Sequence, residues 1–184
     1  MIMTEPFEFE LVFSLPEGDH DAFALTDAVF EAGFDDALVG TGIPGLVGVE
    51  LEAEGEDAQS VILDAARRLS KALPPGTRLR EIRPDLVSLA DVAEKLNVKR
   101  QALAQRRMPP PSLGGLYRID EIAAALIEAT TPEAGRRRPR FDVAPIQKWL
   151  RAGCAARQLN AKLTTRELDP VSVEFVPAPD DARR

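Results

Sequence analysis

Apolar and polar residues alternate at the start of the chain and predict a strand with one buried face. Phe7, Phe9, Leu11 and Phe13 fall at every second position, and Glu8 lies among the residues between them. A period of two with aromatic residues is typical of a strand that covers a core on one side only. The other side of the predicted sheet is acidic, which disfavours RNA binding, because such sheets need exposed aromatic and basic residues.

A helical period follows the first strand, and further strands come after it. The first helix is predicted from about Asp19 to Ala32, with Phe23 and Phe30 widening its buried stripe. A hairpin is predicted at residues 37–51, a second helix from about Asp57, and a last strand at residues 77–83. The order β-α-β-β-α-β is that of the split βαβ, or ferredoxin-like, arrangement. We therefore predict an α+β fold with an acidic ferredoxin-like domain at residues 1–86.

Two short helices joined by a tight turn are predicted next. Ser88 is a good N-cap, and Asp91 three residues later completes a capping-box pattern at the start of the first helix. The second helix is predicted from about Lys99 to Arg107, with Ala102 and Leu103 facing inward. Two helices of about two turns each, joined in this way, form a helix-turn-helix.

The segment after this pair of helices predicts a wing and a closing helix. Gly114 and Gly115 make a tight turn between short extended pieces. Asp120 is then expected to cap a third helix that buries Ile127 among other apolar residues. Together with the two preceding helices, these elements predict a winged helix-turn-helix at residues 87–129.

The C-terminal part is predicted as a linker, a helix and a strand. Residues 130–141 form a basic linker, and a helix is predicted from about Val143 to Leu163. Alternation from Val171 to Phe175 predicts a strand. Residues 142–184 are therefore a candidate dimerisation element, with the contact on the helix around Trp149 or at the edge of the sheet.

The formal charge differs between parts of the chain by more than the net charge of the whole chain suggests. The formal net charge of −7 taken alone argues against nucleic-acid binding, but residues 1–86 carry −12 while residues 87–129 and 130–184 carry +1 and +4. From Lys95 to Ile119 there are six basic residues and no acidic one. This asymmetry predicts separate duties for separate parts of the chain.

One stretch of the sequence resembles a known family. SLADVAEKLNVKRQALAQRR, followed by MPPP and GGLYRIDEIAAAL, is similar to the winged helix-turn-helix of excisionase, AlpA-like and MerR-type regulators. The resemblance covers residues 87–129 only. Tyr117 and Arg118 match the aromatic–arginine step of the family's wing, whereas Lys99 stands where Ser or Thr commonly caps the recognition helix. The resemblance implies a sequence-specific binder of double-stranded DNA, as a transcriptional regulator or an excisionase-like factor.

The candidate DNA-binding residues divide by role. Arg100, Gln101 and Gln105 lie outside the predicted core face, and Arg and Gln pair with guanine and adenine through two hydrogen bonds. Arg106 and Arg107 are better placed to meet phosphates, which supply affinity rather than sequence choice. The full predicted set is Lys99, Arg100, Gln101, Gln105, Arg106, Arg107, Tyr117 and Arg118.

Composition disfavours several other classes of function. The single cysteine, Cys154, excludes an internal disulfide, and one cysteine with one histidine, His20, cannot supply the usual zinc ligands. We predict no catalytic, cofactor or metal site, no membrane partner, and a cytoplasmic homodimer. Two alternatives stay open: an interaction scaffold or small-ligand sensor whose helix-turn-helix does not read DNA, and a protein partner or small ligand at the acidic N-terminal domain.

Overall fold

The computed structural model describes residues 4–131 and 141–177, so residues 132–140, which hold most of the predicted basic linker, lie outside the described residues. Within the described part the chain is of mixed α+β class, as predicted. The strands are β1 (Glu5–Ser14), β2 (Leu38–Gly40), β3 (Leu46–Gly55), β4 (Arg78–Arg83), β5 (Leu86–Val87) and β6 (Tyr117–Arg118). The helices are α1 (Ala22–Glu31), α2 (Ala58–Ala72), α3 (Leu89–Lys95), α4 (Arg100–Ala104), α5 (Ile119–Thr130) and α6 (Gln147–Thr165).

Four of the strands form one antiparallel sheet in the order β2-β3-β1-β4. The register sets Phe9 opposite Leu51 and Leu11 opposite Val49, so the apolar side chains of β1 and β3 share one face. Helices α1 and α2 bury this face in the first core. The predicted first strand, the hairpin and the last strand are confirmed as β1, β2 with β3, and β4.

Helix α1 differs from its prediction in the side that it buries. Asp21 caps it by accepting hydrogen bonds from the amides of two first-turn residues, so the helix begins later than expected. Leu25 and Val29 face the core, but Phe23 and Phe30 are 81% and 41% exposed. The predicted burial of the two phenylalanines is wrong, because at about 100° per residue they lie on the opposite side of the helix from Leu25 and Val29.

A second core lies beneath α3, α4 and α5, and α6 joins it to the first. One side of α6 places Ala152, Ala156 and Leu159 in the first core. The other side places Trp149 and Leu150 in the second core, where they are 7% and 4% exposed. These two side chains are therefore buried within one chain and are not available as a contact for a second copy.

Gly153 allows α6 to pass close to the second unit, our name for β5, β6 and α3–α5, whereas β1–β4 with α1 and α2 form the first unit. A Cβ atom added there would lie 2.6 Å from Cγ1 of Ile119 and 2.9 Å from Cγ of Pro84. Real Cβ atoms do not approach neighbours this closely, and Ile119 is fully buried. The absence of a side chain at Gly153 is what lets the helix pack between the two cores.

The segment after α6 contradicts the predicted strand at residues 171–175. Val173 has a left-handed φ of 56° and is fully buried in the first core. The Asp169 carboxylate accepts hydrogen bonds from the amides of Val171 and Ser172, at 2.9 and 2.7 Å, and so closes a tight turn. The only pairing of these described residues is one bridge between Leu168 and Phe175. The alternation of apolar and polar residues predicted a strand wrongly here, because a tight turn rather than a strand places Val173 in the core.

Candidate nucleic-acid interface

The predicted helix-turn-helix begins as the sequence indicates. Ser88 and Asp91 form a reciprocal capping box at the start of α3: the amide of Ser88 donates to Asp91 at 2.8 Å, and that of Asp91 to the Ser88 hydroxyl at 3.1 Å. Asn97 ends the helix with a left-handed φ of 52°. The amide of Val98 then donates to Ala93 at 2.9 Å, which closes the turn into α4.

Helix α4 is shorter than predicted. It covers Arg100–Ala104 and ends with Gln105 as its C-cap, so Arg106 and Arg107 lie in the chain that leaves the helix rather than within it. Leu103 is fully buried and is the residue that holds the helix on the second core, whereas Ala102 is exposed, contrary to prediction. Five residues make little more than one turn, and Leu103 is the buried residue of this turn.

Six of the predicted DNA-binding residues surround α4 and form what we call the recognition surface. They are Lys99, Arg100, Gln101, Gln105, Arg106 and Arg107, and all except the half-buried Arg106 are exposed. Lys99 makes no side-chain cap, as its residue type leads one to expect. Among the described residues no carboxylate forms an ion pair with any of the four cations. The surface therefore offers positive charge that the chain itself does not neutralise.

The other two predicted residues occupy a different position. Tyr117 and Arg118 form β6, which pairs with β5 ahead of the helix pair, and not with a strand on the far side of the glycine turn. Tyr117 is half-buried against the second core. Arg118 lies 3.6 Å from Glu121, so its charge is partly neutralised. The two residues are thus set apart from the recognition surface in their contacts.

The predicted wing and closing helix also need correction. Gly114 and Gly115 have left-handed φ angles of 63° and 76°, but they sit in a 3-10 turn in which the Ser112 amide donates to the Leu116 carbonyl at 2.6 Å. Asp120 lies inside the first turn of α5 and does not cap it. Ile127 is 57% exposed rather than buried. The turn is therefore present, and of the extended pieces beside it only Tyr117–Arg118 forms a strand among the described residues, paired with β5.

The acidic face of the sheet is occupied by the second unit. Its register sets Glu8 opposite Glu52 and Glu10 opposite Glu50, two like-charged pairs that repel at this spacing. Lys95, the last residue of α3, pairs with Glu8 and lies 3.7 Å from Glu50. Cations from the second unit thus offset the repulsion between neighbouring strands.

Helix α6 supplies one further cation to the same acidic face and a second to the start of β1. Lys148 pairs with Glu52 and lies 3.4 Å from Glu8, and Arg151 pairs with Glu5. We call Lys95, Lys148 and Arg151 the docking cations. The Lys95 ammonium also lies 5.8 Å from the centre of the Trp149 ring. Sequence reasoning missed this contact, although the facing glutamates of β1 and β3 were a signal that cations had to cover them.

The ionisation of Glu8 follows from its position between two lysines. Burial by itself raises the pKa of Glu8, but the hydrogen bond and charge of Lys95, together with Lys148, outweigh burial and hold that pKa below its ordinary value. The pKa of Lys148 is raised, chiefly by its hydrogen bond to Glu52. Both groups are therefore charged near neutral pH, and the docking contact is ionic.

An open cleft of about 320 Å³ lies where the sheet meets the second unit. Its charged lining is already engaged within the chain: Glu8 with Lys95, Glu10 with Arg83, and Asp91 with the α3 cap. A small-ligand site normally presents a few free polar groups that fix orientation. This cleft supplies no such group, and it does not strengthen the sensor alternative.

Cys154 and His20 lie in unrelated surroundings. Burial, and then the charge of Asp120, raise the pKa of the Cys154 thiol, which is the opposite of what activates a cysteine nucleophile. The His20 ring lies 2.9 Å from the carbonyl oxygen of Pro16. In the described ranges, residues 4–131 and 141–177, no cluster of three potential metal ligands is found.

Comparison with family models, curated proteins and solved structures finds no match for this chain. In the same described ranges no helix is both long and apolar enough to cross a bilayer. A function is therefore argued from the residues and distances above.

Proposed function

We propose that residues 87–129 bind double-stranded DNA as a winged helix-turn-helix, and that the protein is a cytoplasmic regulator or excisionase-like factor rather than an enzyme. The observation that carries the proposal is the recognition surface, where four cations and two glutamines meet solvent without a carboxylate partner in the described chain. The phosphate backbone supplies the counter-charge that such a surface lacks.

The residue types on the recognition surface fit both parts of DNA recognition. Arg100, Gln101 and Gln105 belong to α4 or its C-cap, and these side chains suit hydrogen bonding to base edges in the major groove. Arg106 and Arg107 follow the helix and suit contacts to phosphates, as does Lys99. Arg118 is a weaker candidate, because Glu121 already lies 3.6 Å from it.

The architecture supports the finer fold assignments that belong to this proposal. The strand order β2-β3-β1-β4 with two helices on one face supports a ferredoxin-like first unit. The capped α3, the left-handed Asn97 and the short α4 support a helix-turn-helix, with β5 and β6 as a minimal wing. One α4 covers only a short half-site, which favours a dimer on DNA.

A salt titration of duplex binding tests the proposal. The affinity should fall steeply with salt, since each phosphate contact contributes about −0.9 to the slope of log K against log salt. Arg100→Ala or Gln101→Ala should cost about 1–3 kcal/mol on a preferred duplex and relax the choice of sequence.

Lys71→Ala is the matched control for this test. It removes one exposed cation from the end of α2, on the first unit, and should leave duplex binding unchanged. If Arg100→Ala and Gln101→Ala behave like Lys71→Ala, the helix is not in a groove. The interaction-scaffold alternative then explains the fold better.

A further inference from the structure

The solvent side of α1 combines exposed aromatic rings with unpaired acid. Phe23 is 81% exposed and Phe30 41%. Asp27 lies four residues after Phe23 and three before Phe30, so it is a surface neighbour of both. Glu31 is the last residue of α1 and Asp19 lies in the chain just before the helix, and both are exposed. We call these five residues the acidic α1 surface.

Nothing in the described chain neutralises this surface. None of its three carboxylates forms an ion pair among the described residues, whereas Glu5, Glu8 and Glu52 on the sheet all do. Residues 1–66 contain no lysine or arginine, and Arg68 of α2, which reaches the end of α1 by donating to the Ala32 carbonyl at 2.6 Å, has Asp64 as its ion-pair partner in the described chain. Exposed apolar side chains set among charges of one sign mark an interaction site more often than isolated ones do.

The charges decide what kind of partner fits. Two acidic α1 surfaces placed face to face would bring like charges together, which is costly. A fitting partner needs cations and some exposed apolar area. The recognition surface supplies four cations without carboxylate partners in the described chain, and the chain that follows it carries an exposed apolar side chain, Leu113, which is 77% exposed.

We propose that the acidic α1 surface of one copy binds the recognition surface of a second copy, head to tail. The chain already contains a contact of this chemistry, since Lys95 and Lys148 pair with glutamates of the sheet and the Lys95 ammonium lies over the Trp149 ring. A head-to-tail contact leaves one surface of each kind free at the ends, so association continues beyond two copies unless it closes into a ring. It is distinct from a two-fold dimer on DNA and does not depend on DNA binding.

The contact has a consequence for the recognition surface. A copy whose recognition surface is covered by a neighbour's α1 cannot present Arg100 and Arg107 to any polyanion. Because the association is electrostatic and uses a small area, it belongs to the weak, reversible class of interfaces. Its strength therefore depends on ionic strength and on protein concentration.

Light scattering of two variants, alone and mixed, tests the proposal. The first variant, F23S with D27K, removes the acidic α1 surface, and the second, R100E with R107E, removes the recognition surface. All four side chains are exposed, so both variants should fold, which circular dichroism and thermal melting verify. The average mass of the parent protein should rise with concentration at low salt. It should return to that of a monomer at about 1 M salt, where the Debye length is about 3 Å.

The mixture distinguishes the head-to-tail contact from other arrangements. Each variant alone should be a monomer, because it lacks one of the two surfaces. Mixed in equal amounts, they should form a species of two chains and no larger, since only one intact pair of surfaces remains. A parent protein that is monomeric at low salt overturns the proposal, as does self-association of the R100E/R107E variant alone. If F23S/D27K fails to fold, D27K alone takes its place with the same expected outcomes.

Discussion

Lys95 and Lys99 lie four residues apart in one basic stretch, yet their surroundings are opposite. Lys95 is held between Glu8 and Glu50 of the sheet, while Lys99 is exposed and pairs with no carboxylate in the described chain. The docking cations and the cations of the recognition surface repeat this difference. A run of positive charge therefore does not define an interface; what matters is which of its members the chain has already neutralised.

The first unit shows the same difference with the sign reversed. Carboxylates on the sheet face of β1 and β3 are covered by docking cations, and those of the acidic α1 surface are not. For both signs of charge, the paired groups lie between the sheet and the elements packed on it, and we propose that the groups without an ion pair in the described chain bind partners. The predictions below test this division, beginning with the helix that holds it in place.

The largest effect is expected at Trp149, which lies in the second core beneath Lys95. Trp149→Ala removes a large side chain that is 7% exposed and should lower the free energy of unfolding by about 3–5 kcal/mol. Urea unfolding followed by circular dichroism measures it. Phe23→Ala, at an aromatic residue that is 81% exposed, is the control and should change stability little. Equal losses in the two variants would mean that α6 does not join the cores.

The next effect is expected at Gly153. Gly153→Ala should destabilise by about 1–3 kcal/mol, because the new methyl group meets Ile119 at 2.6 Å, and this outweighs the better helix propensity of alanine. The control is Gly42→Ala, where a new Cβ has no neighbour within 4 Å. A stabilised Gly153→Ala protein, measured by thermal melting, would show that α6 does not pass this close to α5.

A pair of single substitutions separates the two sets of cations directly. Lys95→Ala should cost about 1–2 kcal/mol of stability, between the values for exposed and buried ion pairs, and leave the salt slope of duplex binding unchanged. Arg107→Ala should leave stability unchanged and reduce that slope by about one unit. The reverse result would exchange the roles assigned to the two sets.

The smallest effect concerns pH. The pKa of Glu8 is lower in the folded protein than its ordinary value, so its stabilising contribution is complete above about pH 5 and is lost as the pH falls through the folded-state pKa. Urea midpoints should therefore fall less steeply with acid in Glu8→Gln than in the parent. Glu54→Gln, on the same strand face as Glu52 and without an ion pair in the described chain, should follow the parent curve. Identical curves for all three proteins would remove Glu8 from the docking contact.

Local patterns predicted local structure well. The capping box of Ser88 and Asp91 and the strand alternation of Phe7 to Phe13 are confirmed, because each depends on residues close in sequence. The same reasoning failed for Phe23 and Phe30, and for the strand around Val173. At those positions apolar residues were assigned to a face or a strand that only the surrounding packing could select.

For the candidate site, too, the sequence predicted some features of α4 correctly and others wrongly. The exposure of Arg100, Gln101 and Arg107 was expected from their position beside Leu103, and it is found. That Arg106 and Arg107 lie beyond the helix was not expected, because the end of α4 is set by its packing on the second core. DNA binding itself, and dimerisation on DNA, stay predictions.

The sequence by itself determined the class of fold, the strands and helices of the first unit, the capped α3 and the excess of positive charge after Lys95. Each follows from periodicity, capping chemistry or composition, which act over a few residues. Only the tertiary structure decided that Lys95 and Lys148 pair with Glu8 and Glu52, whereas Lys99 and Arg107 have no carboxylate partner among the described residues. The physical reason is distance along the chain. Lys95 lies 87 positions from Glu8, and Lys148 lies 96 positions from Glu52. These pairs meet only after α6 has packed between the two cores, and no local pattern encodes that contact.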